Sequence, residues 1–170
     1  MTTSAHLWAV GYDNADHARQ AQQVVTSLAG PERSLQLLEI AMLDCLPDGS
    51  YLLNGKPLPV GKEIAHRGAL GLLAGFALAV PLLTDEAVAR FLDSTVPEVA
   101  STLGIDEKFK QEIASMIRPG TSALLVLDVA ENMNAILPRL QGLGGRILKT
   151  NVDIERANLI QSTLARGLTS

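Results

Sequence analysis

Few side chains in this sequence stand in patterns that could move a proton, hold a metal or attack a substrate. The adjacent His66 and Arg67, just ahead of a long apolar run, are the pair best suited to a ligand. An imidazole there could act as general base and a guanidinium as an anion clamp. The same residues also suit a solvated helix start or a contact with a lipid headgroup. Asp13, Asp16 and His17 crowd another helix start, where capping and dipole effects account for them better than a weak cation site. Cys45 precedes Leu46 and Pro47 with no basic neighbour, which predicts an inert buried thiol. The carboxylate pairs Asp44/Asp48 and Glu107/Glu112 read at least as well as solvated surface.

Recognition motifs are equally sparse. A phosphate loop needs Gly-Lys followed by Ser or Thr before a helix, and here Gly61-Lys62 runs into Glu63. Gly142, Gly144 and Gly145 follow a helical pattern rather than a strand, so they read as a helix stop instead of a dinucleotide turn. The histidines, His6, His17 and His66, form no His-x3-His pair, and one cysteine cannot form Cys-x2-Cys. No metal and no cofactor is therefore expected. Fourteen Lys+Arg against 18 Asp+Glu give a formal charge of -4, and aromatics are 4%. That balance lacks the footprint of a nucleic-acid binder and offers no stacking surface. The single cysteine fits a reducing compartment, and residues 1–6 carry no secretory signal, so a cytoplasmic location is expected.

The elements that must position these residues fall into three blocks. Residues 7–12 are β-prone and end at Asp13-Asn14, two good caps; Ala18, Ala21, Val25 and Leu28 then recur at helical spacing. Residues 35–43 form an apolar run of strand length that Leu, Glu and Ala make ambiguous. Residues 50–53 return as a hairpin arm before the Asn54-Gly55 turn. From 62 to 117 the pattern is helical: a glycine–alanine run, starts near Thr84 and Ser94, a stop at Leu103-Gly104, and a helix opened by Asp106. That last helix has Phe109, Ile113, Met116 and Ile117 as its apolar stripe. Residues 123–129, ALLVLDV, are the clearest buried strand. A helix over 132–143, a strand over 146–150 and a closing helix capped by Asp153 complete the chain. Two strand–helix–strand units predict an α+β fold with a ferredoxin-like sheet and a helical insertion between its halves. The boundaries are 5–60, 62–118 and 120–168 within one domain of 170 residues.

The run 68–83 contains no charge and would extend about 24 Å as a helix, short of the roughly 30 Å hydrocarbon layer. A buried helix fits it better than a membrane span. Gly71, Gly75 and Ala79 fall four residues apart and make a small-residue stripe suited to close helix–helix approach. The partner is either a later helix of the chain or a second copy, and the amount of apolar surface favours a homo-oligomer.

The order of LWAVGYDNADHARQAQQVV, the apolar glycine run, PGTSALLVLDV and LGGRILKTNVD resembles a bacterial family of predicted membrane proteins, domain of unknown function 1269. The resemblance implies no activity, substrate or catalytic residue. Members typically carry a longer glycine-rich hairpin in the middle, and the charged region 84–103 stands here in place of its second arm. The expected function is that of a non-enzymatic, oligomerising binding or scaffold protein, with peripheral or inserted membrane association through 68–83 as a less favoured reading. The alternative is a small enzyme or ligand-binding protein with a pocket between the sheet and the insertion, and His66 and Arg67 are its candidate residues.

Overall fold

A computed structural model describes residues 4–28, 37–57, 68–78, 96–128, 138 and 146–167. The chain begins with β1 (Ser4–Tyr12), α1 (Ala15–Leu28), β2 (Leu37–Cys45), β3 (Tyr51–Leu53) and β4 (Lys56–Pro57). Then follow α2 (Gly68–Ala77), α3 (Val96–Leu103), α4 (Glu107–Met116), β5 (Ser122–Asp128), β6 (Arg146–Asp153) and α5 (Ile154–Gly167). The fold is α+β: the described strands form one antiparallel sheet in the order β4-β3-β2-β5-β1-β6. The expected helices near 84–92 and over 132–143 lie outside the described residues, except Pro138, which is helical.

Local chemistry sets the element ends. Asn14 Oδ1 accepts from the His17 N–H at 2.9 Å, Asp106 Oδ1 from the Phe109 N–H at 2.9 Å, and Asp153 Oδ1 from the Arg156 N–H at 3.0 Å. Each satisfies a first-turn amide that the helix cannot. Asn54 and Gly55 both take positive φ, 54° and 81°, the geometry of a two-residue hairpin turn. Asn54 also binds β2: its N–H donates to the Met42 carbonyl and its Oδ1 accepts from the Met42 N–H.

Strand alternation divides the sheet into two buried faces. Trp8, Val10, Tyr12, Met42, Leu124 and Val126 pack under Ala18, Ala21 and Val25 of α1. Leu7, Ala9, Leu43, Leu125 and Leu127 face the other way, toward α2–α5. β5 is buried on both faces, as its unbroken apolar run predicts. On the α2–α5 side Leu70, Leu73, Val99, Leu103, Phe109 and Ile113 complete the core, each large side chain contributing about 1.5–3 kcal/mol. Among the described residues no helix is long and apolar enough to cross a membrane.

Two long-range contacts tie helices α2–α4 to the sheet. Glu39, the residue that makes β2 ambiguous in sequence, faces α2 and accepts from the Leu70 N–H at 3.2 Å, setting a carboxylate at the helix start. The α3–α4 connection presses on β6. Gly104 has φ +99°, an ideal Cβ on it would lie 1.9 Å from the Asn151 carbonyl oxygen, and its own carbonyl accepts from Thr150 Oγ1 at 2.8 Å.

Candidate functional site

His66, Arg67 and Ala79 lie outside the described residues. Gly71 and Gly75 are placed on α2, and both are buried within a single chain. So are Leu70, Leu73, Ala74 and Ala77, and together these six positions cover an arc of about 200° around the helix. α2 packs chiefly against α5 and β2.

The remaining chemical candidates resolve into structural partnerships. Asp16 pairs with Arg19 at 3.5 Å on the surface. Asp44 accepts from the buried Ser122 hydroxyl at 2.5 Å, and Asp48 accepts from the Ser50 N–H and hydroxyl. The Ser50 hydrogen bonds hold the Asp48 carboxyl below its ordinary range. Glu107 pairs with Lys110 at 3.7 Å. Cys45 is a buried free thiol, pushed up first by burial and then by the charge of Asp48. Among the described residues no group of three or more His, Cys, Asp or Glu is arranged to hold a metal.

Two arrangements stand out. The first is a row of polar residues across three strands on the α1 face. Asp128 of β5 is 0% exposed, and Trp8 Nε1–H donates to its Oδ1 at 3.2 Å. His6 of β1 stands in register between Asp128 and Asn151 of β6, with Nδ1 2.8 Å from Asn151 Oδ1. With an amide oxygen as partner the ring nitrogen is the donor. Lys149 Nζ sits 4.9 Å above the Trp8 ring, a cation–π contact. The row fixes the imidazole against β6 and the indole against β5. Sequence reasoning passed over Asp128, although an acid inside ALLVLDV was its visible signal, because buried charges are rare unless paired.

The second arrangement is a groove of about 270 Å³ on the opposite face, where β3 meets the insertion. Ala77 and Leu78 of the α2 end, Ile113 and Ala114 of α4, and the Tyr51 ring supply its apolar surface, while Glu107, Lys110 and Gln111 form its polar side. Burial, followed by the influence of Cys45, raises the Tyr51 hydroxyl above its ordinary range, so it stays a protonated donor at neutral pH. The groove and the polar row lie on opposite faces, so they cannot act on one small ligand.

These features define an α+β protein with helices α2–α5 packed on one sheet face and a groove where β3, α2 and α4 meet. Residues 65–165 match the model of a family described as Protein of unknown function (DUF1269), and the chain belongs to that family. The match runs from just before α2 to near the end of α5, leaving β1–β4 ahead of it. No curated protein and no solved structure shows a significant match.

Proposed function

We propose that this is a non-catalytic binding protein whose ligand enters the groove between the sheet and the helical insertion. The observation that carries the reading is the groove itself: an apolar surface with a few polar groups, at a seam in a face otherwise filled by core. The frame we propose is ferredoxin-like, supported by the antiparallel order β2-β5-β1-β6 of the long strands. A cytoplasmic setting is supported by the one cysteine being a buried thiol. Ala114 is exposed on α4, so Ala114→Trp should fill the groove without disturbing the core. A small-molecule library screened by thermal shift should yield compounds that raise the melting temperature of the natural chain and not of Ala114→Trp. An empty screen, or compounds indifferent to the substitution, would overturn the reading.

A second reading concerns assembly. Gly71, Gly75 and Ala79 are taken as helix-packing positions, and the α2–α5 pair as the face that joins a second copy. Leu159, a large apolar residue of α5 that is 50% exposed, is the position at which the reading is tested. The natural chain should sediment as a homo-oligomer and Leu159→Glu as a monomer; a monomeric natural chain would sink the idea.

A further inference from the structure

We infer that the groove beside Tyr51 and Lys110 takes a small amphiphile with an anionic head, of the medium-chain carboxylate class. The inference rests on the groove reading above and adds the chemistry of what enters. Lys110 is the reason. Its side chain is only 18% exposed, whereas its ion-pair partner Glu107 is 71% exposed and 3.7 Å away. The packed stem fixes the ammonium at the polar side of the groove, while the Glu107 carboxylate stands out in solvent. One such contact also does not saturate three N–H donors. A carboxylate whose alkyl chain lies in the groove would meet the Lys110 ammonium at the polar side, while the more exposed Glu107 repels it through water.

The other groups fit the same ligand. Tyr51, protonated at neutral pH like any tyrosine, lines the groove and can donate to a carboxylate. Leu78, Ala77, Ile113 and Ala114 offer an alkyl chain apolar contact and no hydrogen bonds. A groove of about 270 Å³ has room for an alkyl chain of medium length with its head at the polar side.

The experiment is isothermal titration of the full chain with submicellar octanoate, octylamine and octan-1-ol. Octanoate should bind at least tenfold more tightly than either other probe, with affinity falling as salt rises. Lys110→Met, which keeps the alkyl stem, should erase that preference, Lys110→Arg should restore most of it, and Ala114→Trp should abolish binding. Circular dichroism melts establish that each variant is folded, and the three-probe comparison on the natural chain decides the question should Lys110→Met unfold. If octylamine or octan-1-ol binds as well as octanoate and Ala114→Trp removes that binding, the anionic head is overturned while the groove reading stands. If no probe binds, or Ala114→Trp changes nothing, both fall.

Discussion

Replacing Gly104 with alanine should cost on the order of 3–5 kcal/mol, more than the same change at Gly11, Gly49, Gly55 or Gly120. Two costs combine. The backbone there has φ +99°, which a side chain tolerates poorly, and the added Cβ would lie 1.9 Å from the Asn151 carbonyl oxygen. That oxygen belongs to β6, so relief requires lifting the α3–α4 connection off the strand and breaking the Thr150–Gly104 hydrogen bond. Two other glycines separate the costs. Gly120 has φ +90° with nothing within 4 Å, so Gly120→Ala isolates backbone strain, about 1–2 kcal/mol. Gly11→Ala would instead meet Cγ and Sδ of Met116, a side chain with three rotatable bonds that can swing aside. Urea unfolding of the three variants is the measurement. Gly104→Ala should exceed both others by at least about 1.5 kcal/mol, and at roughly 2–4 °C per kcal/mol its melting temperature should fall by about 10 °C. A Gly104→Ala loss no larger than that of Gly120→Ala would mean that the connection does not rest on β6.

The second large effect is expected at Asp128. Truncation to alanine removes a carboxylate that is 0% exposed and leaves the Trp8 indole N–H, itself 3% exposed at the residue level, without this acceptor. An orphaned buried donor costs about 1–3 kcal/mol, and the space left behind adds to it, so a loss of about 2–4 kcal/mol is expected. Asp128→Asn keeps an oxygen in place and should lose less than half as much. Trp8 is the only tryptophan in the chain, so its fluorescence reports this site alone. Its emission should shift in Asp128→Ala and stay near the natural value in Asp128→Asn. In a double-mutant cycle with Trp8→Phe, Asp128→Ala should show a coupling of about 1 kcal/mol or more. Independent, additive losses with unchanged emission would show that the pair does not hold β1 to β5.

Asp128 and Glu39 show where a reading confined to the sequence stops. Each is an acid inside an apolar run, and composition alone cannot say what it meets. Glu39 blurs β2 as a strand because its partner, the Leu70 amide, lies 31 residues away in another block. Asp128 meets Trp8 across 120 residues, through a pairing of β1 with β5 that no local signal encodes. The groove is of the same kind: Tyr51, Leu78 and Ala114 share it because β3, the end of α2 and α4 converge there.

What the amino-acid sequence determined by itself was local. The caps at Asn14, Asp106 and Asp153, the Asn54-Gly55 turn and the stripe Phe109, Ile113, Met116 are each written within a few residues. The energies involved, a capped amide, a favoured φ, one buried helix face, depend on near neighbours and are therefore legible without knowing the fold. Tertiary structure alone decided which face each strand presents to which helices, that Gly71 and Gly75 are buried within one chain, and that the Lys110 side chain packs beside a groove. Burial and desolvation are properties of everything that surrounds a group. A lysine reads the same in sequence whether its ammonium is solvated or set at the edge of an apolar groove, and only the packed chain distinguishes the two.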